Sequence, residues 1–503
     1  MIVAGPTHSS PLFLNKTLEM GPIDLHATQF KVLDIDGDGE KDLVALEGAS
    51  LPVIYSYHSL TKKYKANNRM NLSHPCTTIS FADFDRDGIS DVVCLLLKTG
   101  SWNNSAIDVY LPAKNFKTVA GINLTDEEKK ALSHYAVADF DNDGYLDLIL
   151  LFHSKKISPI FMFGGKEGFF RSSLITPLAA DLYTHAEACD INQDGKMDII
   201  ATTSSGRANY LFLNQSHKKE IIFLNYAEES GLSHDHLGTS EAGEGGIGLT
   251  SSSIDYNNDK IMDVAIGNEW APHFLATADR SAILTGSAYK FPFKFVRTEF
   301  ENDLEPFASF FQEFHWADLN GDGLWDLLIE DSGRPPHSRF RIMIQNVDHS
   351  FSDQAPLLGL DILNPSGAFV FDANHDGKLD IIVGQNSTRT NISPSSYLFI
   401  QNDNKNQSNL IELKLGGQKS NLQGIGARII FSTNLRERRM MMNYPFVYLT
   451  LSSKEILKSV EVSWPSDIER EKIVKYTLNL RRSGNLLLSE NGKWSFLDWK
   501  NKK

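Results

Sequence analysis

Aspartates recur at fixed positions of a nine-residue segment, and this spacing could bind a metal ion. The first copy is Asp34–Asp42, with the sequence DIDGDGEKD. Six further copies follow: DFDRDGISD at 83–91, DFDNDGYLD at 139–147, DINQDGKMD at 190–198, DYNNDKIMD at 255–263, DLNGDGLWD at 318–326 and DANHDGKLD at 372–380. Successive first aspartates lie 49, 56, 51, 65, 63 and 54 residues apart, which indicates a repeat of nearly fixed period. We number the segments loops 1–7 and their residues positions 1–9.

Calcium is the ion that this pattern suits, because it takes about six to eight oxygen ligands at about 2.3–2.6 Å. Side chains at positions 1, 3 and 5 of a tight loop can converge on one ion. A backbone carbonyl at position 7 and a carboxylate at position 9 complete the shell. The predicted ligands, loop by loop, are Asp34, Asp36, Asp38, Glu40 and Asp42; Asp83, Asp85, Asp87, Ile89 and Asp91; Asp139, Asp141, Asp143, Tyr145 and Asp147; Asp190, Asn192, Asp194, Lys196 and Asp198; Asp255, Asn257, Asp259, Ile261 and Asp263; Asp318, Asn320, Asp322, Leu324 and Asp326; and Asp372, Asn374, Asp376, Lys378 and Asp380.

The loops differ at two positions. Loops 4–7 carry Asn at position 3, and its amide oxygen can still bind calcium. Position 6 is Gly, which suits a turn with positive φ, except in loop 5, where it is Lys260. We therefore expect loop 5 to be the weakest or an empty site. We expect five to seven structural calcium ions in all, whose binding free energy contributes to folding.

The elements that position these loops are short strands. In an EF-hand, position 12 is Glu and a helix follows. Here position 12 is apolar in every copy, and each loop leads into a short apolar run such as Val92–Leu95. Another short apolar run precedes each loop, as in Phe369–Phe371. Runs this short favour strands, so the repeating unit is strand, metal loop, strand.

This unit resembles the FG-GAP/VCBS repeats of integrin-like β-propellers over residues 25–405, and Phe163-Gly164-Gly165 is the nearest trace of the Phe-Gly signature. The resemblance implies an all-β fold in which seven loops correspond to seven four-stranded blades. The last blade is short of one strand. Residues 1–24 contain Pro11–Asn15, which is similar to the strand sequence Tyr210–Asn214. We expect this segment to complete the last blade and close the ring.

After a polar segment at 402–408 the repeat ends, and residues 409–490 form a predicted small β domain with strands at 410–415, 460–465 and 486–488. Ser420–Arg428 and Val462–Ser466 resemble the ASPIC/UnbV domain, which follows such repeats in the cartilage acidic protein family. This chain departs from that family at Leu449–Ser452 and at Asp467. Residues 491–503 are predicted to be a C-terminal tail.

Composition excludes several classes of function. The formal net charge is −14, and 24 aspartates lie in the seven loops, so a nucleic-acid partner is not expected.

Three cysteines give no disulfide framework, and Cys94 and Cys189 are predicted to be buried in strands. No apolar run is long enough for a membrane span. No signal peptide is visible at the N-terminus in this numbering; the resemblance implies an extracellular or cell-surface protein.

We find no sequence motif of a hydrolase, zinc protease, nucleotide-binding loop or dithiol site, and we expect no enzyme activity. His134, His185 and His315 could face a central channel as a metal-binding ring, but we favour hydrogen-bonded histidines of inner strands. The expected function is a scaffold that recognises a protein or glycan ligand. One alternative is a calcium-dependent lectin that uses the aromatics at 291, 293 and 295. Another is an enzyme or accessory protein with a site in the channel.

Overall fold

The computed structural model describes residues 12–21, 27–98, 104–171, 178–204, 206–217, 220–234, 246–270, 279–288, 290, 292–300, 309–332, 335–388, 393, 395–402, 408–465 and 472–499. Strands dominate these residues. The helices are short: α1 (Thr17–Met20), α2 (Asp126–Ala131), α3 (Ala227–Ser230), α4 (Ala355–Leu358) and one 3-10 turn at Pro112–Lys114. Within the described ranges, none of them is long and apolar enough to cross a membrane.

The repeats form antiparallel sheets in which neighbouring strands follow one another along the chain. After β1 (Phe13–Asn15), the strands are β2 (Gln29–Leu33), β3 (Asp42–Leu46), β4 (Val53–His58) and β5 (Lys63–Arg69); β6 (Thr78–Ala82), β7 (Asp91–Leu96), β8 (Ala106–Leu111) and β9 (Lys117–Thr118); β10 (Leu132–Ala138), β11 (Asp147–Phe152), β12 (Ile160–Phe163) and β13 (Phe170–Arg171); β14 (Tyr183–Cys189), β15 (Asp198–Thr203), β16 (Tyr210–Asn214) and β17 (Phe223–Asn225); β18 (Ile247–Ile254), β19 (Asp263–Trp270), β20 (Ala282–Gly286) and β21 (Phe295–Glu299); β22 (Ser309–Ala317), β23 (Asp326–Asp331), β24 (Phe340–Gln345) and β25 (Phe351–Asp353); and β26 (Pro365–Phe371), β27 (Asp380–Gln385) and β28 (Tyr397–Gln401). Each aspartate loop connects the first strand of its repeat to the second. The fifth and sixth repeats are joined into one larger sheet by a short pairing of β19 with β22.

The second strand of each repeat is buried along nearly its whole length, and its central residues are mostly apolar. β7, β11 and β27 are buried at every residue. Such strands read as continuous apolar runs rather than as alternating ones. This explains why the runs after the aspartate loops are the clearest strand signals in the sequence.

The last repeat takes its fourth strand from the N-terminal segment. β1 pairs antiparallel with β28, with Leu14 opposite Ile400. Phe13 is 1% exposed and packs among residues of the sixth and seventh repeats. A further apolar cluster joins Phe30 and Val32 of the first repeat to Phe371 and Ile382 of the seventh. The packing between successive repeats therefore continues from the last back to the first, in a propeller-like arrangement.

The C-terminal strands are β29 (Asn409–Gly416), β30 (Arg428–Thr433), β31 (Glu437–Met441), β32 (Val447–Leu451), β33 (Leu457–Trp464), β34 (Lys472–Leu480), β35 (Gly484–Ser489) and β36 (Trp494–Asp498). They form two four-stranded sheets, ordered β32-β29-β35-β36 and β31-β30-β33-β34, around a common apolar core that includes Trp464. We refer to residues 408–499 as the C-terminal domain. β36 lies in the segment that the sequence analysis treats as a tail, because its alternating exposure gives only a weak apolar pattern.

Two local features concern a helix cap and the cysteines. Thr125 and Glu128 form the reciprocal hydrogen bonds of a capping box at the start of α2. The expectation for Cys94 was wrong in part, because this buried residue forms a disulfide with Cys76. Their Cα atoms lie 5.3 Å apart on neighbouring chain segments, which 18 residues of separation do not reveal. Cys189 is buried and free.

Candidate metal centres and the surface that covers them

The seven loops share one hydrogen-bonded geometry. In each, Oδ2 of the first aspartate accepts the N–H of position 6 at 2.9–3.0 Å. Oδ1 of the aspartate at position 5 accepts the N–H of position 7 at 2.8–3.0 Å. The position 6 residue has positive φ in every loop, including Lys260 at 79°. Lys260 therefore adopts the same turn as the glycines, and its Nζ lies 3.3 Å from Glu437 of the C-terminal domain.

The aspartate at position 9 has a structural role that the sequence analysis did not identify. Its Oδ2 accepts the N–H of position 2 at 2.7–3.2 Å in all seven loops. In loops 3–7 its Oδ1 also accepts an N–H at the third strand, as between Asp147 and Gly164 at 2.7 Å. This carboxylate therefore joins the aspartate loop to the third strand of the same repeat. In loop 2, Oδ1 of Asp91 is buried without a described partner.

Burial raises the pKa of the position 1 aspartate in loops 2–7 and of the position 9 aspartate in all seven loops. Desolvation raises the pKa of Asp83 to about 6, Asp91 to about 8 and Asp372 to about 8; neighbouring carboxylates add to the increase, and backbone hydrogen bonds oppose it. Several carboxylates held close together out of water repel one another when ionised. A divalent cation among them would favour the ionised form.

Acidic ligand atoms lie closest together in the first three loops. Three carboxylate oxygens lie within 4.8 Å of one another in each of three groups: Asp34, Asp36 and Asp42; Asp83, Asp85 and Asp91; and Asp139, Asp141 and Asp143. In loops 4–7, the Asn at position 3 donates its amide N–H to the aspartate at position 5, at 2.9–3.3 Å. The donor set is oxygen in every loop, so these residues fit a hard cation such as calcium.

The C-terminal domain lies over the loops. Lys41 of loop 1 forms a buried ion pair with Glu412 at 2.9 Å. The guanidinium of Arg86 in loop 2 donates to the carbonyl of Gln418 at 2.8 Å. Loops 3 and 7 pack so tightly against the domain that a Cβ at position 6 would lie 2.2 Å from the Lys419 carbonyl oxygen and 2.7 Å from Ser483 Oγ, respectively. Glycine at these positions therefore also allows the domain to approach.

Three arginines of the domain reach loops 4–6. Arg428 Nη1 lies 3.0 Å from Asp190 Oδ2, and Arg438 Nη1 lies 3.0 Å from Asp318 Oδ2. Arg439 Nε lies 3.9 Å from Asp255 Oδ2. All seven loops thus contact the C-terminal domain. The sequence did not predict these contacts, because the residues of each contact lie more than 50 positions apart in the chain.

A polar cavity of about 390 Å³ lies where the first strands of six repeats converge. His134 and His185 line it with ring centroids 4.6 Å apart, together with Lys31 and Glu313. Burial lowers the pKa of His134 to about 4, against the smaller opposing effect of Glu313. His315 does not join them; its Nε2 lies 3.0 Å from Glu330 Oε1. Two of the three predicted histidines therefore come together.

Two of the three aromatic residues proposed for a lectin-like site lie in the described part of the chain, and both are buried. Phe293 is 2% exposed and Phe295 is 9% exposed, and their rings contact each other. Residue 291 lies outside the described residues, as do residues 403–407 of the polar segment before the C-terminal domain. The two described phenylalanines belong to the strand core.

A family model described as an FG-GAP-like repeat matches residues 34–94 and 318–383. A comparison with curated proteins gives no match. Among solved structures, BBS1N in complex with ARL6DN is similar with a TM-score of 0.45 and 10% identity, covering 79% of this chain and 99% of that chain. The V. cholerae biofilm matrix protein Bap1 is similar with a TM-score of 0.33 and 10% identity, covering 95% and 85%. The two matched segments contain loops 1, 2, 6 and 7, so the chain contains FG-GAP-like repeats within an all-β, propeller-like repeat protein.

Proposed function

We propose that this protein is a non-enzymatic, calcium-stabilised scaffold for recognition at the cell surface or outside the cell. The observation that carries the proposal is the set of seven loops with one geometry, each placing oxygen donors between the first two strands of a sheet. Calcium in these loops would balance the buried carboxylates and hold each first strand to its second. Such a framework keeps the loops at its ends in fixed positions, where ligands bind most propellers.

The proposed architecture is a closed seven-bladed β-propeller that carries an ASPIC/UnbV-like domain, as in the cartilage acidic protein family. Pairing of β1 with β28 and packing of the seventh repeat on the first support closure. In such a ring the blades leave only short, protected sheet edges. The C-terminal domain covers the end that carries the aspartate loops, so the opposite end, where the second strand of each repeat turns into the third, is the proposed recognition face.

The proposed location outside the cell rests on two features. The Cys76–Cys94 disulfide is of a kind that persists in oxidising compartments and is rare in the cytosol. Calcium loops whose position 5 aspartate is exposed suit the high calcium concentrations found outside cells, where modules bind with dissociation constants of about 10⁻⁴–10⁻³ M.

The test is binding of the full chain to an array of matrix proteins and glycans, in calcium and again in chelator. A protein ligand bound only in calcium is the expected result. A glycan bound instead would favour the calcium-dependent lectin. No binding in either condition, with circular dichroism showing a folded chain in calcium, would overturn the recognition scaffold.

The central cavity favours a second candidate function, a small-molecule site of an enzyme or accessory protein. Its supporting observation is the half-buried pair His134 and His185 beside Glu313 and Lys31, with His185 Nδ1 lacking a partner among the described residues. Small-molecule screening by thermal shift tests it, with His185→Phe as the variant that removes the ring nitrogens from the cavity and His58→Phe as the exposed control. A compound that stabilises wild type and the control but not His185→Phe would favour this candidate.

A further inference from the structure

Three arginines of the C-terminal domain divide the aspartate loops into two classes. Arg428, Arg438 and Arg439 lie on β30 and β31, and each reaches the first aspartate of one of three consecutive loops. The pairs are withdrawn from water: the side chains of Arg438 and Asp318 are 0% and 1% exposed, and those of Arg428 and Asp190 are 10% and 4% exposed. These contacts differ from exposed ion pairs, which are screened by solvent and contribute little.

The same three loops also carry less negative charge. Loops 1–3 have aspartate at positions 1, 3, 5 and 9, whereas loops 4–6 have Asn192, Asn257 and Asn320 at position 3. The ligand side chains therefore carry four negative charges in loops 1–3 and three in loops 4–6. In loop 4 the arginine reduces this sum by one more. In loops 5 and 6 the arginine also pairs with a glutamate of the domain, Glu437 or Glu455, but each glutamate pairs with a second cation, Lys260 or Arg436, so the net reduction is again one. In loop 2, Lys114 pairs with Asp85, but the Lys114 side chain is 52% exposed, so solvent screens this contact. A missing carboxylate and a withdrawn guanidinium therefore occur together in loops 4–6.

The arginines leave room for an ion. Each contacts Oδ2, the oxygen that already accepts the N–H of position 6. Oδ1 of Asp255 and Oδ1 of Asp318 are buried and have no partner among the described residues. A cation could still bind there, but a positive guanidinium within a few ångströms opposes it.

We propose that calcium binds tightly in loops 1–3 and weakly in loops 4–6, where the C-terminal domain supplies built-in positive charge. Loops 4–6 then contribute to holding the domain on the repeats, whether or not calcium is bound, and loops 1–3 depend on calcium. This inference rests on the proposed calcium binding and assigns its distribution along the chain. Loop 7, with Asn374 and no described ion pair at Asp372, should fall between the two classes.

Hydrogen exchange measured by mass spectrometry at increasing calcium concentration tests this distribution loop by loop. Peptides from each loop report calcium separately, because the loop N–H groups donate to the ligand carboxylates. Starting from calcium-free full-length protein, loops 1–3 should become protected at a calcium concentration about tenfold lower than loops 4–6. Equal midpoints in all seven loops would overturn the two-class proposal. No protection in any loop up to about 10 mM calcium would instead overturn calcium binding itself.

Two variants test the cause. Arg428→Gln should lower the calcium midpoint of loop 4 by about tenfold and leave loop 1 unchanged. Asn320→Asp, which restores the fourth carboxylate without removing an arginine, should do the same in loop 6. Arg482→Gln, an exposed change in the same domain, is the matched control and should shift no loop. If Arg428→Gln unfolds the domain, Asn320→Asp still decides, since an unchanged midpoint in loop 6 would contradict the charge argument.

Discussion

Replacing Phe13 with Ala tests whether the N-terminal strand closes the structure. Phe13 is 1% exposed and packs with Phe340, Ile381 and Phe399 of the sixth and seventh repeats. Truncation of a buried phenylalanine to alanine costs about 3–5 kcal/mol, from lost burial and the cavity that remains. The loss should be fully expressed only if β1 stays paired with β28 in the folded protein.

The size of the effect can be converted into a melting temperature. At about 2.1 cal/mol/K per residue, the unfolding entropy of a unit of roughly 400 residues is about 0.8 kcal/mol/K, so this loss lowers Tm by about 4–6 °C. Differential scanning calorimetry in saturating calcium measures the shift. Leu18→Ala is the matched control, because Leu18 lies in the same segment and is 80% exposed. Deletion of residues 1–20 should lower Tm further, since it removes the whole strand β1 as well as the phenyl side chain of Phe13.

The reasoning fails if Phe13→Ala and Leu18→Ala melt at the same temperature as wild type. That result would mean that β1 contributes nothing to stability and that the seventh repeat is stable with three strands. A large loss in both variants would point instead to general instability of the N-terminal segment. Only a loss confined to Phe13→Ala and to the deletion supports closure by β1.

Two further predictions concern the disulfide and the buried histidines. Cys76→Ser should lower the free energy of unfolding by roughly 2–4 kcal/mol in chemical denaturation, because the disulfide restricts the unfolded chain. Reduction of the wild-type protein should give the same loss. Cys189→Ser, at the free cysteine, is the control. Burial lowers the pKa of His315, but its hydrogen bond to Glu330 and the charge of Glu313 raise it more, so the net pKa is raised. The stability that His315 contributes is present below its unfolded pKa of 6.5 and is lost as the pH rises through its folded pKa. His134 behaves in the opposite way: because its folded pKa is lowered to about 4, the stability that it contributes is lost as the pH falls from 6.5 toward about 4. Chemical denaturation at pH values from 4 to 9 should show that wild type and His58→Gln lose stability as the pH rises through the folded pKa of His315. His315→Gln should not show this loss. An unchanged loss in His315→Gln would refute the assignment.

The repeats could be predicted from the sequence because their signals are local. The aspartate spacing fixes the loop, and the buried second strand directly after it is a continuous apolar run. The strand at Phe13–Asn15 could be predicted from its similarity to Tyr210–Asn214, although β1 is the fourth, outermost strand of its sheet and β16 is the third strand of its own. The capping box at Thr125 and Glu128 is likewise a pattern within four residues.

The contacts that could not be predicted join distant parts of the chain. Arg428 and Arg438 look like ordinary polar positions of short strands, and only the packing of the domain brings them to Asp190 and Asp318. The Cys76–Cys94 bond depends on how two neighbouring segments of the chain approach each other. The strands of the C-terminal domain were only partly predicted, because β31, β34 and β36 alternate or expose many side chains and carry weak apolar patterns.

The number of calcium ions bound to the full chain tests the central proposal most directly. Native mass spectrometry and elemental analysis of protein dialysed against saturating calcium should find five to seven ions per chain, and their removal by chelator should lower the melting temperature. Because the loops bind with different affinities, the count should rise in steps as calcium is added. Two or fewer ions at saturation would contradict the account, because most of the seven loops would then hold their carboxylates without metal.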